Sequence, residues 1–249
     1  MSPVFTIPGF IPANASKSND GAIVKVPVDQ NGKPTIYFNY YSWITRHVND
    51  EYVRSSRSNG FRARSAYKLL QIIEKFPQIS STIRAKNSKI IDLGAAPGSW
   101  SQVLSQFSSP SSKIVAIDLL QISPLENVRF IKLDFTQMSS FQILREEFDE
   151  KSDNISINLV VSDLCANLSG NSCVDNSNNF ELWRRVFEFS NYILQPGGHL
   201  ILKYFESIES KKLRIGLEKK FEKVIVFKPK ASRSESAEKY FVCLYNKGE

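Results

Sequence analysis

Lys89-Ile90-Ile91-Asp92-Leu93-Gly94-Ala95-Ala96-Pro97-Gly98-Ser99-Trp100 is the stretch from which the fold can be read. Its first five residues form a short apolar run suited to a buried strand, and the small residues that follow make a tight turn into a helix over Ser99 to Phe107. Downstream, β-rich runs at Lys113 to Ile117, Val128 to Leu133, Leu159 to Ser162 and His199 to Tyr204 alternate with helical runs. The helices are expected at about Phe141 to Phe148, Phe180 to Leu194 and Ser210 to Phe221. Pro196-Gly197-Gly198 is a strong stop for the second of these. Such alternation predicts an α/β fold, a doubly wound and mostly parallel seven-stranded sheet with helices on both faces. The last two strands, Lys223 to Phe227 and Tyr240 to Leu244, are separated only by a basic, Ser-rich stretch. A parallel return needs a longer crossover, so one of the pair is expected to be antiparallel.

Upstream, Ala66, Leu69, Leu70 and Ile73 recur at helical spacing within an expected helix from Ala63 to Lys75. The residues before that are rich in Pro, Asn, Ser and Gly. We expect an N-terminal extension over 1–45, partly irregular, with a short hairpin around Gln30-Asn31-Gly32-Lys33, and one domain over 46–249.

Composition narrows the function classes. The 249 residues carry a formal charge of +7, which favours a polyanionic partner, and lack an apolar run long enough to span a membrane. Three cysteines without a CxxC pair, and two histidines, argue against a zinc cluster or a disulfide framework; no metal is expected. The first forty residues hold no arginine, unlike a typical mitochondrial presequence, so cytoplasm or nucleus is the default expectation and a mitochondrial location stays open.

In a doubly wound sheet the turn after the first strand is where a nucleotide-like ligand meets the backbone, and small residues permit the approach. Gly94 and Gly98 lie four apart, which is not the dinucleotide fingerprint, and the Lys-Ser/Thr of a phosphate-binding loop is missing. Asp92, Asp118 and Asp134 are expected to close three successive strands. Asp118 could accept hydrogen bonds from a ribose diol, and Asp134 from an adenine amino group. An adenosine without a pyrophosphate fits this set better than NAD does. S-adenosylmethionine is such a ligand, with Gly94, Gly98, Ser99, Trp100, Asp118, Asp134 and Asp163 as its expected contacts.

Several blocks in order resemble the FtsJ/RrmJ family of RNA ribose 2′-O-methyltransferases, across roughly Ser56 to Tyr245. They are Gly60-Phe61-Arg62-Ala63-Arg64-Ser65-Ala66-Tyr67-Lys68-Leu69, the Gly94 to Gln102 loop, Asp118-Leu119-Leu120, and Ser162-Asp163 with Asn167-Leu168-Ser169-Gly170. Leu194-Gln195-Pro196-Gly197-Gly198 running into Lys203 comes next, then Lys228 to Arg233 leading to Glu238 and Tyr240. The resemblance implies a Lys-Asp-Lys-Glu catalytic tetrad at Lys68, Asp163, Lys203 and Glu238. It further implies Lys203 as the base that takes the ribose proton, helped by apolar walls and the charge of Lys68, which lower a lysine's pKa. Asp163 and Glu238 would oppose that depression.

Two departures stand out. Where the family has Asp-Met-Ala-Pro-Asn this chain has Asp163-Leu164-Cys165-Ala166-Asn167, and Ser99 replaces a glycine or alanine. Loss of the proline would loosen the loop beside the substrate. Basic runs at Arg54 to Arg64, Lys211 to Lys220 and Lys228 to Arg233 bracket the tetrad and are expected to form a phosphate-binding rim, with Phe61 and Tyr67 as stacking candidates. The block after Asp163 looks closest to the large-subunit rRNA uridine branch. A tRNA anticodon-loop enzyme, an mRNA cap ribose enzyme and a catalytically silent RNA-binding assembly factor are the alternatives. RNA is thus the expected partner, rRNA before tRNA, met alone or in a ribosomal particle, with or without a helper subunit, by a monomer that binds no membrane.

Overall fold

The computed structural model describes residues 15–17, 23–25, 50–148, 155–166 and 172–248. The chain divides into two compact units, Met1–Arg54 and Ser55–Glu249. In the first, β1 (Ala15–Lys17) and β2 (Ile23–Lys25) pair antiparallel. The hairpin expected at Gln30 to Lys33 lies outside the described residues.

The helices, in chain order, are α1 (Glu51–Ser58), α2 (Ala66–Lys75), α3 (Pro77–Arg84), α4 (Ser99–Phe107), α5 (Ser139–Glu147), α6 (Ser172–Ile193) and α7 (Ile208–Lys220). The strands of the second unit are β3 (Lys89–Leu93), β4 (Lys113–Asp118), β5 (Val128–Lys132), β6 (Ile157–Ser162), β7 (Leu194–Phe205), β8 (Phe221–Phe227) and β9 (Glu238–Asn246). They form one seven-stranded sheet in the order β5-β4-β3-β6-β7-β9-β8. Five of its strands run parallel through the β5-β4-β3-β6-β7 half, and β9 is antiparallel to both β7 and β8. The odd strand is therefore the last one, inserted between β7 and β8 after a link too short for a crossover helix.

Side-chain alternation sorts the two faces. Ile91, Leu93, Val160, Leu200, Leu202 and Phe241 pack with Leu144 of α5, Trp183, Val186 and Phe189 of α6, and Leu213 and Leu217 of α7. Their neighbours Ile90, Leu159, Val161, Ile201, Tyr240 and Val242 pack on the other face with Leu69 and Ile72 of α2, Ile79 and Ile83 of α3, and Trp100 and Leu104 of α4. The chain winds outward from β3 through β4 to β5, then returns to β6 beside β3. That reversal opens a crevice at the carboxyl ends of β3 and β6, where doubly wound sheets bind ligands.

Several elements differ from expectation, α1, β1 and β2 among them, which were not foreseen. α3 was not foreseen; Pro77 starts it and Ile79 and Ile83 bury one side. α6 starts at Ser172, eight residues before the expected Phe180, because its first turns are polar and carry no apolar period. Pairing of β7 begins at Leu194, opposite Ile157, and resumes at His199 opposite Leu159, so Pro196-Gly197-Gly198 bulges within the strand after stopping the helix.

Candidate active site

The turn from β3 into α4 is shaped by two glycines with positive φ, +74° at Gly94 and +101° at Gly98. A Cβ at Gly94 would lie 2.1 Å from the Leu164 side chain, and one at Gly98 2.4 Å from Nη1 of Arg62. The left-handed backbone and these close approaches favour glycine at both positions. Backbone N–H groups of Gly94 and Ala95 donate to the Ile117 carbonyl, 2.9 and 3.1 Å, lashing the turn to β4. Asp118, at the end of β4, accepts from the Ala96 and Leu120 N–H groups, 2.9 and 2.8 Å, so its carboxylate is held at the lip of the crevice.

The other expected contacts in this region are arranged differently. Ser99 and Trp100 turn inward: Ser99 Oγ meets Ser65 Oγ at 2.7 Å, and the Trp100 indole N–H donates to the Ser65 carbonyl at 2.9 Å. Their side chains fasten α4 to the segment leading into α2. Asp134 lies two residues beyond β5 and folds back on its own loop, accepting from Thr136 N–H and Oγ1 at 3.0 and 2.7 Å. Those hydrogen bonds hold its carboxyl below the usual range. Asp92 does not close its strand, since Leu93 follows it. It is buried beneath α4 with Ser101 Oγ donating to it at 2.6 Å. Burial, opposed by that bond, raises its pKa to about 7.

Strand parity explains the tetrad. Lys203 shares its face with Ile201, and lies opposite Tyr240 of β9. Asp163 follows Ser162, the last residue of β6, which pairs with Leu202. Glu238 begins β9, and Lys68 lies in the first turn of α2. All four meet at the carboxyl end of the sheet, under α2. Lys203 Nζ is 3.2 Å from Asp163 Oδ1, and Lys68 Nζ is 2.8 Å from Glu238 and 3.9 Å from Asp163. Ser232 Oγ donates to Glu238 Oε1 at 2.7 Å. The group is nearly sealed, Lys203 being 7% exposed and Glu238 8%.

Charge balance decides the protonation. Burial alone would lower the Lys203 pKa, but Asp163 and then Glu238 outweigh it and raise that pKa above the ordinary lysine value. Burial would likewise raise Asp163, yet Lys203, Lys68 and a hydrogen bond from Tyr240 keep it ionised below the carboxylate range. The expectation of a partly neutral Lys203 is therefore corrected for the ligand-free protein: the Asp163 and Glu238 carboxylates outweigh burial.

Sequence reasoning missed Tyr240 as a site residue. Its phenol donates to Asp163 Oδ1 at 2.6 Å, its ring lies 5.7 Å from that of Trp100, and burial keeps the hydroxyl protonated. Asn179 of α6 was missed as well. Its Oδ1 accepts from the Ala166 N–H at 3.0 Å, and its Nδ2 donates to the Asp175 carbonyl at 2.8 Å. Asn167, Leu168, Ser169 and Gly170 lie outside the described residues.

The three basic runs do not form one rim. α7 covers the sheet face opposite α2, Arg214 pairs with Glu218, and Lys219 and Lys220 sit at the far edge, where Lys247 bonds the carbonyls of Lys219 and Lys220. Lys228 Nζ donates to the carbonyls of Ser234 and Ser236 in its own loop. Arg62 reaches across the glycine turn to the carbonyls of Pro97 and Pro124, and Arg64 to that of Ala231. Phe61 and Tyr67 meet edge to face at 5.5 Å.

Comparison with known proteins agrees with this architecture. The family model for FtsJ-like methyltransferase matches residues 61–246. A protein of Rickettsia akari named ribosomal RNA large subunit methyltransferase E is 39% identical over 211 residues, covering 83% of this chain and 88% of its own length. Its namesake from Rickettsia canadensis is 39% identical over 227 residues, 89% and 95% of the two chains. A Plasmodium falciparum crystal structure described as a ribosomal RNA methyltransferase superposes with a TM-score of 0.65 at 28% identity, over 76% of this chain and all of that one. With a glycine turn at the sheet reversal, four paired charges beneath α2 and the matched span of residues in agreement, the chain belongs to the FtsJ-like methyltransferase family.

Proposed function

We propose that this protein transfers a methyl group from S-adenosylmethionine to a ribose 2′-hydroxyl of large-subunit ribosomal RNA, a uridine in our reading. The observation that carries the proposal is the closed set of two ammonium groups and two carboxylates, Lys68, Lys203, Asp163 and Glu238, at the mouth of the β3–β6 crevice. The names of the Rickettsia relatives support the choice of RNA.

The residues of the crevice fit an adenosine-bearing methyl donor. Gly94 and Gly98 give the turn its left-handed shape, with Leu164 and Arg62 packed against it, Asp118 offers a diol acceptor, and Asp163 faces the reacting end. When bound, S-adenosylmethionine supplies an electrophilic methyl on a cationic sulfur. Lys203, near Lys68, would release its proton more readily with that positive charge in the crevice than in the free protein. Its neutral amine then accepts the proton of the ribose hydroxyl as the oxygen becomes the nucleophile. Asp163, steadied by Tyr240, keeps the amine aimed. Glu238 and Lys68 hold the ribose side of the site. Orientation of this kind contributes several kcal/mol to lowering a barrier, on the order of that found for other oriented groups.

The test is a map of ribose methylation in RNA from cells lacking the protein, with tritium transfer from labelled cofactor to that RNA in vitro. One large-subunit rRNA mark lost in the cells and restored in vitro is the expected result. Loss of a tRNA or cap mark would overturn the substrate, and an unchanged map the activity.

A further inference from the structure

The segment Asp163 to Ala166 leaves the sheet without regular structure, yet its first residue must meet two lysines and a tyrosine at fixed distances. Something has to fix its exit. In the family pattern a proline stands where this chain has Ala166, and proline restricts the backbone through its own ring. Alanine does not. It does, however, carry an N–H that proline lacks, and that N–H donates to Asn179 Oδ1 at 3.0 Å.

Asn179 is built for this contact. It is 2% exposed, on the second turn of α6, within the helix layer of the opposite sheet face. Its carboxamide is oriented by chemistry at both ends: the oxygen faces an N–H donor on Ala166, and the nitrogen faces the Asp175 carbonyl. The Cys165 Sγ also approaches the same oxygen, at 3.7 Å. A buried amide is costly unless both its ends are bonded, and here both are. The side chain thus joins a long, packed helix to the loop that carries Asp163.

We propose that Asn179 is a positioning residue for methyl transfer: its hydrogen bond to Ala166 does for the Asp163 loop what a proline ring does elsewhere in the family. The inference rests on the methyltransferase reading above. It also makes the two devices interchangeable, because Ala166→Pro removes the N–H that Asn179 needs and supplies backbone restriction in its place.

The experiment compares wild type, Asn179→Ala and Asn179→Ala/Ala166→Pro by steady-state kinetics, melting temperature and amide hydrogen exchange. The single variant should lose about ten- to a hundredfold in kcat, the range for a group displaced by a fraction of an ångström to an ångström, with KM for the cofactor changed little. The double variant should recover most of that loss. In wild type the Ala166 amide should exchange slowly, and it should exchange faster in the single variant. A kcat within twofold of wild type overturns the proposal, as does a loss that the proline fails to reverse at unchanged melting temperature. If the single variant does not fold, a wild-type Ala166 amide that exchanges as fast as a free peptide overturns it, and a protected one upholds it. Wild-type protein without any transfer to RNA would instead refute the activity and the catalytic role with it, and amide exchange would still decide whether Asn179 holds the Asp163 loop.

Discussion

Lys203 and Asp163 form a buried ion pair, Nζ to Oδ1 at 3.2 Å, and the same carboxylate oxygen accepts the Tyr240 hydroxyl at 2.6 Å. One oxygen therefore sets both the aim and the charge of the amine. If Lys203 is the base, a side chain that keeps the charge and cannot lose it should fail. Lys203→Arg should fold with a melting temperature near wild type and lose about 10²- to 10⁴-fold in kcat, the usual range for removing an acid–base group. Tritium transfer by the purified variant checks this, and near-normal turnover would remove Lys203 from the role.

The pH profile follows from the sign of the shift. The Lys203 pKa is raised in the free protein, and the active form is the neutral amine. kcat/KM should therefore keep climbing with pH through the neutral and mildly alkaline range without levelling. Asp163→Asn withdraws the negative charge that favours the ammonium, so the residual activity should level at lower pH. A profile flat from pH 7 upward in wild type would contradict the assignment.

Asp92 offers a test on stability alone. Its folded pKa of about 7 lies above the ordinary 3.8, so folding prefers the protonated carboxyl. Below the unfolded pKa both states are protonated and nothing is at stake. Between the two values the unfolded chain has lost the proton that the folded one keeps, and stability falls as pH rises. Above the folded pKa the whole penalty is present, at most on the order of 4 kcal/mol. Asp92→Asn should raise the melting temperature at pH 8 and change it little at pH 4. Thermal unfolding at the two pH values decides it; an equal shift at both would mean that burial is not the cause.

Much of this was legible in the residues. β3 and α4 fall where the apolar run and the glycine turn put them, because both signals are local. The tetrad was legible through ordered blocks, and strand parity then explains why Lys203 and Tyr240 share a face. Charge state was not legible: it depends on whether the Asp163 and Glu238 carboxylates outweigh burial at Lys203, a matter of ångströms. Nor was the phosphate rim, since a basic run on α7 reads the same in sequence whichever sheet face the helix covers. Asn179 hid in a polar stretch whose helical period is weak, and its meaning comes only from the Ala166 N–H across the site.

The divided basic surface separates two lysines that look alike in sequence. Lys230 is exposed in the link between β8 and β9, which leads into Glu238, whereas Lys219 lies at the end of α7 on the far edge of the sheet. Lys230→Glu should weaken RNA binding and lower the slope of log affinity against log salt by about one, as expected for the loss of one phosphate contact. Lys219→Glu should leave both unchanged. Binding titrations at several salt concentrations distinguish them, and equal effects would restore a single continuous rim.

Gly94→Ala tests the crevice itself. The new Cβ would lie 2.1 Å from Cδ2 and 2.2 Å from Cγ of Leu164, at a φ of +74°. Leu164 follows Asp163 directly, so the clash displaces the Leu164 side chain and presses on the loop that carries the tetrad carboxylate. The strained backbone adds about 1 kcal/mol or more. Two losses should therefore appear together, weaker binding of S-adenosylmethionine and lower kcat, whereas Lys203→Arg should lose kcat alone. Calorimetric titration with S-adenosylhomocysteine, beside the kinetics, reads both quantities. Full cofactor affinity in Gly94→Ala would place the methyl donor somewhere other than the turn between β3 and α4.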